Sequence, residues 1–252
     1  MGFMGHGQVS EGAVVELRER LVATVSHEFR TPLAVIQASA GLIRRRVGTL
    51  SVDEHDARRM LASCERIEQA TSTMVAAIER VLLIDRIGAG DEPHRPRLCV
   101  PGDVLMSLAA SLQERGDVPR EVRLDVQQAQ VQGLLDPLVL RQVATQLLDN
   151  AFKYSPPDSV VTLHARCEAN RFHLRISDHG IGIDAAEMAL LFEPFHRAPA
   201  VRDLPGMGLG LTLVHQLLQL ADGQIRIEST PQVGTTVSVS LPLSPAAKET
   251  AS

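Results

Sequence analysis

Apolar residues in the first third of the chain recur every three or four positions. Val22, Val25, Phe29, Ile36, Ala40, Ile43 and Val47 follow the spacing of one helix face and predict a first long helix from about residue 11 to 47. Gly48-Thr49 reads as a turn, and Ser51-Val52-Asp53-Glu54 as the capped start of a second helix. There Ala57, Met60, Cys64, Ile67, Thr71, Met74, Ile78 and Val81 alternate by three and four, the seam of a coiled coil, with Cys64 expected in the core. Two long helices joined by a short turn predict an antiparallel hairpin. A hairpin alone leaves apolar surface uncovered, so two copies are expected to pair into a four-helix bundle, making a homodimer.

The stretch from Gly88 to Pro96, rich in Gly and Pro, ends the helical period. Beyond it, short runs at 97–100, 122–126, 131–134, 160–167, 172–177, 224–228 and 235–241 predict strands. Helices are expected at about 102–115, 137–154, 184–191 and 209–221. The fold class is therefore α + α/β. A loose segment at 1–10 precedes a helical hairpin at 11–88, a linker at 89–96, an α/β domain at 97–243 and a small, polar tail at 244–252 that is expected to be disordered.

Composition narrows the function classes. The 252 residues are 44% hydrophobic and 22% charged, with a formal net charge of −5, an ordinary globular balance. The one cationic run, Arg44-Arg45-Arg46, reads as a solvated helix face, so no nucleic-acid partner is expected. Cys64, Cys99 and Cys167 are scattered without metal-ligand spacing, which fits a reducing, cytoplasmic setting. No apolar run approaches the ~20 residues that span a bilayer, so no membrane insertion is expected.

Within the first helix, His27 stands two residues from both Val25 and Phe29, and two residues turn a helix by roughly 200°. Its imidazole therefore points away from the apolar seam, with Thr31 one turn along on the same outward face and Glu28 beside it. Pro32 removes a hydrogen bond from this turn and predicts a kink next to the histidine.

The α/β half holds four further motifs. In Gln146-Leu147-Leu148-Asp149-Asn150-Ala151-Phe152-Lys153-Tyr154, helical spacing puts Gln146, Asn150 and Lys153 on one face. An amide oxygen suits Mg²⁺ and an ammonium suits phosphate. Asp178-His179-Gly180-Ile181-Gly182 follows a strand. Its carboxylate could accept from an exocyclic amine such as that of adenine, and its glycines let backbone approach a ligand. Gly206-Met207-Gly208-Leu209-Gly210 opens a helix, whose free N–H groups and positive dipole end favour phosphate. Between these two glycine motifs lie Leu191-Phe192-Glu193-Pro194-Phe195-His196-Arg197 and the short segment 198–205, a candidate lid in which His196 is expected to be structural or solvent-facing.

Taken in order, these motifs resemble the catalytic core of a two-component sensor histidine kinase, over about residues 11–243. SHEFRTPL resembles the phospho-acceptor H-box, QLLDNAFKYSP the N-box, DHGIGI and GMGLGL the two glycine boxes, LFEPFHR the F-box, and Val233-Gly234-Thr235-Thr236 the family's last motif. The resemblance implies a dimerising phosphotransfer bundle joined to a Bergerat-type ATP-binding α/β sandwich. It implies that ATP phosphorylates His27, with Glu28 as general base. Asn150 would ligate Mg²⁺, Asp178 would hold adenine, Lys153, Tyr154 and Arg197 would contact nucleotide, and Gly180, Gly182, Gly206, Gly208 and Gly210 would shape the cradle. The phosphoryl group would then pass to an aspartate on a response regulator receiver domain, and Thr31 would serve a phosphatase activity. The family's N-box usually carries Asn where this chain has Gln146, which sets apart a rival reading: a dimer that binds or dephosphorylates a regulator without kinase turnover. An ATPase of the chaperone or topoisomerase type would leave His27 unexplained.

Overall fold

The computed structural model describes residues 33–45, 54–113, 121–202, 204 and 206–245. These fall into two compact units divided between Val81 and Leu82, with Leu204–Met207 grouped with the first. His27, Glu28, Thr31 and Pro32 lie outside the described residues.

In the helical unit, α1 covers 33–45, and α2 runs from Glu54 to Ala89, its last turns belonging to the second unit. The burial along α2 has a strict heptad form. Ser63, Ala70, Ala77 and Ile84 are buried, alternating with half-buried Met60, Ile67, Met74 and Val81. Ser63 is tolerated there because its hydroxyl donates to the Arg59 carbonyl at 2.9 Å and accepts from Arg66 Nη2 at 2.9 Å. The expected seam is thus half displaced. Met60, Ile67, Met74 and Val81 belong to the buried stripe, but Cys64, Thr71 and Ile78 stand one position further round and are exposed. Cys64 is therefore not a core residue of the single chain. The cause is a second stripe, Leu61, Cys64, Thr71, Val75, Ile78 and Leu82, roughly 100° away on the same helix. Leu61 is 63% and Leu82 55% exposed.

The second unit begins within α2 and continues through β1 (Arg97–Cys99), α3 (Pro101–Gln113), β2 (Val122–Gln128), β3 (Gly133–Leu135), α4 (Pro137–Tyr154), β4 (Val161–Glu168) and β5 (Arg171–Ser177). It closes with α5 (Gly210–Leu220), β6 (Gln224–Thr230), β7 (Gly234–Pro242) and β8 (Ser244–Pro245). Five strands form one sheet in the order β2-β4-β5-β7-β6, and β1-β3-β8 form a second, smaller one. Only β2 and β4 pair in parallel; the other neighbours in the large sheet are antiparallel. Alternation decides the layers. Val161, Leu163 and Ala165 of β4, Phe172, Leu174 and Ile176 of β5, and Val239 and Leu241 of β7 are buried, and the residues between them face the other side. With them are buried Leu105 of α3, Leu140, Val143, Leu147 and Leu148 of α4, and Leu213, Val214 and Leu217 of α5. One face of the large sheet is thus covered by three helices. The β4–β5 turn is two residues long, with Ala169 and Asn170 at φ 48° and 59°, the left-handed pair whose twist suits a tight hairpin.

Two expectations are corrected here. No α-helix forms over 184–191. The segment is held by i→i+3 bonds, Glu187 N–H to the Asp184 carbonyl and Leu190 N–H to the Glu187 carbonyl, and yields one 3₁₀ turn, Met188–Leu190. A piece this short gains too few bonds to offset nucleation unless packing helps, and none of its 3₁₀ residues is buried. Ser244 and Pro245, expected in a loose tail, form β8 against Gly133 and Leu134 of β3. Among the described residues no helix is long and apolar enough to cross a membrane, and the three cysteines are free thiols.

Candidate functional site

The long helix α4 carries the first site motif and is fixed at its start. Asp136 caps it, accepting from Leu138 N at 2.9 Å and Val139 N at 3.3 Å through Oδ1, with Pro137 in the first turn. Asp136 Oδ2 also accepts from the Arg95 backbone N–H at 2.7 Å, tying the segment after α2 to the helix that bears the site. The motif lies three turns on. Gln146 is only 6% exposed, while Asn150, Lys153 and Tyr154 are half-buried. Lys153 Nζ donates to the Tyr154 hydroxyl at 3.0 Å.

Asp178 follows the end of β5. Its Oδ1 accepts two backbone bonds, from Gly180 N at 2.8 Å and Thr235 N at 3.2 Å. Its Oδ2 has no protein partner among the described residues, so one oxygen holds the loop and the other is uncommitted, an acceptor-only group when ionised. Burial pushes this carboxyl above its ordinary value of 3.8, only partly offset by the two N–H bonds and by His179. The loop then turns at Gly182, with φ +66°, where a Cβ would collide with the Thr230 carbonyl. Gln232 N–H donates to the Ile181 carbonyl at 2.7 Å, and Ile183 N–H to Ser229 Oγ at 2.9 Å. The first glycine motif is therefore clamped onto the β6–β7 hairpin.

The second glycine motif meets the F-box-like segment. Gly208, at φ +71°, leaves no room for a Cβ, which would stand 2.6 Å from the His196 carbonyl oxygen. Phe195 N–H donates to the Gly208 carbonyl at 3.2 Å. Phe192 stacks on His215 of α5 at 5.0 Å between ring centroids, and Thr212 Oγ1 donates to the Phe192 carbonyl at 3.2 Å. Gly210 opens α5 against α4: a methyl added there would lie 3.3 Å from Gln146 Oε1 and 3.7 Å from Asn150 Oδ1. His196 Nε2 lies 2.6 Å from Glu187 Oε2, a structural pairing, and Arg197 Nη2 donates to the Val201 carbonyl.

The α/β unit thus brings Asn150 and Gln146 to the N-terminus of α5, and Gly208 to the segment beside it. Gly180 and Gly182 sit in the loop held by Asp178, and Gly180 packs on the carbonyl of Tyr154. Gly206 groups with the helical unit instead. Thr235, Ser229, Thr212 and Asp136 also hold the site; the sequence carries Thr235 only within its last motif and gives the other three no site role. For Thr235 the signal was present in the Val-Gly-Thr-Thr motif, and for Asp136 in an Asp placed directly before a helix-opening Pro. The donors fit a nucleotide with its metal. A desolvated acceptor stands ready for an amine, and one amide oxygen beside a helix N-terminus suffices for Mg²⁺, which keeps most of its coordination for water and phosphate.

Comparison with known proteins adds two family matches. Residues 17–90 match the His Kinase A (phospho-acceptor) domain, and residues 135–245 match the "Histidine kinase-, DNA gyrase B-, and HSP90-like ATPase" family. The chain is similar to the sensor histidine kinase RcsC of Salmonella typhi, 29% identical over 90% of this chain and 23% of that protein. It is also similar to the signal transduction histidine-protein kinase/phosphatase MprB of Mycobacterium tuberculosis, 33% identical over 91% of this chain and 46% of that protein. The chain therefore spans less than half the length of these curated relatives. A crystal structure of full-length ShkA in complex with AMPPNP shares the fold, with a TM-score of 0.63 and 24% identity over 91% of this chain and 46% of that one.

Proposed function

Starting from a chain that belongs to the two-component sensor histidine kinases, as their catalytic core, we propose that it phosphorylates itself on His27 from ATP and hands the phosphoryl group to an aspartate of a response regulator. The observation that carries this reading is Asp178. One oxygen is committed to the loop at Gly180 and Thr235, and the other has no partner among the described residues. That is the acceptor an adenine amine requires. Asn150 would hold Mg²⁺, whose charge would neutralise phosphate oxygens. Lys153, Tyr154 and Arg197 would stand around the nucleotide, and the α5 N-terminus after Gly208 would receive its phosphates.

In the transfer, a nitrogen lone pair of His27 would attack the γ-phosphorus. The bond to the bridging oxygen would break, ADP would leave, and Glu28 would take the proton released from the ring. Transfer to the regulator exchanges the P–N bond for a P–O bond to its aspartate. Thr31, one turn from His27, would orient water to hydrolyse the regulator's aspartyl phosphate to aspartate and inorganic phosphate, the opposing phosphatase function. The exposed stripe Leu61, Val75, Ile78 and Leu82 supports a homodimer in which a second copy covers it. The core would work in the cytoplasm, where ATP and the regulator are found.

Incubation of the full chain with γ-labelled ATP and Mg²⁺ should give a label that survives alkali, is lost in acid and is missing from His27→Ala. Label that persists in His27→Ala would overturn the assignment of the acceptor. A folded dimer that binds nucleotide yet takes up no label would favour the regulator-binding module.

A further inference from the structure

The outer face of the five-stranded sheet has no role in the reading above, yet its side chains are unusual. Strand register aligns Asp125, His164, Arg175, Ser238 and Arg226 in one row across β2, β4, β5, β7 and β6. The neighbouring row places Arg166 opposite His173 and His173 opposite Ser240. Two directly opposed pairs, His164 with Arg175 and Arg166 with His173, therefore set an imidazole against a guanidinium. His164, Arg166, His173, Arg175 and Ser238 line a hollow of about 360 Å³, floored by the strands at Leu174 and Val239, and no carboxylate lines it.

The acids nearby stand outside. Asp125 lies 3.5 Å from His164, Glu168 is 3.2 Å from Arg166, and Glu228 pairs with Arg226 at 2.7 Å. Each is a solvent-exposed pair of small worth. Arg175 has no ion pair among the described residues, and Arg171 donates to the Ser240 carbonyl and hydroxyl. Burial first, and then Arg166, hold the His173 imidazole below its ordinary range, with Glu168 opposing and Arg171 adding to the shift. All this sits in a chain whose formal net charge is −5.

We propose that this hollow is a second binding site, in which Arg166, Arg175, His164, His173 and Ser238 hold the phosphate groups of a small phosphorylated compound. The donors come from three strands and converge on one basin. Guanidinium forks match phosphate oxygens bidentately, and a hydroxyl and two imidazoles add single bonds. A carboxylate, with two oxygens, would satisfy one fork and leave the other donors idle. A membrane or an acidic protein surface would call for cations spread over the whole face, whereas these donors gather on β4, β5 and β7 around one basin. A volume of this size belongs to small-molecule sites.

Pyrophosphate is the probe, titrated into the full chain with the nucleotide site filled by AMPPNP and Mg²⁺, and followed by amide NMR shifts and calorimetry. Saturable shifts at residues 164–166, 173–175 and 238 support the site. So does a Kd that rises at least tenfold in Arg166→Gln/Arg175→Gln while AMPPNP affinity is unchanged. The proposal is overturned if shifts on the sheet face are absent or do not saturate, or if citrate binds as tightly as pyrophosphate. It is equally overturned if only phosphatidylglycerol vesicles, and not the free anion, engage this face.

Discussion

Replacing Asp178 by Asn is the sharpest test of the nucleotide site. The amide keeps an oxygen in the place of Oδ1, so the bonds from Gly180 N at 2.8 Å and Thr235 N at 3.2 Å survive. What changes is the second atom, an unpartnered acceptor in wild type and an NH₂ donor in the variant. A lost hydrogen bond to a charged group is worth about 1.5–3 kcal/mol, so the affinity for ATP should fall roughly 10- to 150-fold. A donor at that atom suits a carbonyl, so the ratio of affinity for ITP over ATP should rise. Stability should move the other way. The Asp178 carboxyl titrates above its ordinary 3.8 because it is buried. Between 3.8 and that raised value the folded state binds more protons than the unfolded one, and the residue's contribution to stability falls as pH rises through the window. At neutral pH the carboxylate is therefore a net cost, and Asp178→Asn should melt at or above the wild-type temperature. Calorimetric titration of ATP and ITP, with thermal melts at neutral pH, reads all three quantities. Unchanged ATP affinity, or equal losses for ATP and ITP, would refute adenine recognition by this residue.

Other substitutions separate packing from binding. Gly182→Ala forces an L-residue to φ +66° against the Thr230 carbonyl and should lower stability by about 2 kcal/mol or more, read from the denaturant midpoint. Asp136→Ala removes a helix cap and strands the Arg95 N–H; a loss of about 2–3 kcal/mol is expected in the same assay. On α2, Ile78→Glu should dissociate the dimer in light scattering while leaving helicity intact, because Ile78 is exposed in one chain. Ala77→Glu, one residue away and buried, should instead lower helicity in far-UV circular dichroism.

The α2 stripes show what periodicity can and cannot tell. A three-and-four alternation identifies a helix and its length, but two alternations interleave here, one through Ser63, Ala70 and Ala77 and one through Leu61, Val75 and Ile78. Hydropathy does not choose between them, because both carry large apolar residues; burial in the chain follows the first, which sets small Ser63, Ala70 and Ala77 between Met60, Ile67, Met74 and Val81. Small residues mark a close helix approach, and nothing in a hydropathy pattern distinguishes that from a polar face. In the α/β half the strands were readable because alternation survives where one face is covered, as in β4 and β5. The segment 184–191 was not readable, because its apolar spacing fits a helix and only its weak packing denies it one.

The glycine motifs were read as backbone that lets a ligand come close. In the α/β unit their first duty is to let protein come close: Gly182 to the Thr230 carbonyl and Gly208 to the carbonyl of His196. Those two contacts draw the β6–β7 hairpin and the 191–197 segment toward elements distant in sequence. Asp178 is oriented by Gly180 in its own loop and by Thr235 across that hairpin, and Phe195 N–H donates to the Gly208 carbonyl just ahead of α5. Motif order along the chain therefore states which groups belong to the site, whereas their positions depend on contacts among the motifs themselves. A side chain at Gly182 or Gly208 would move Asp178 or the α5 N-terminus before it met any nucleotide, so such variants lose binding and stability together, while Asp178→Asn loses binding alone.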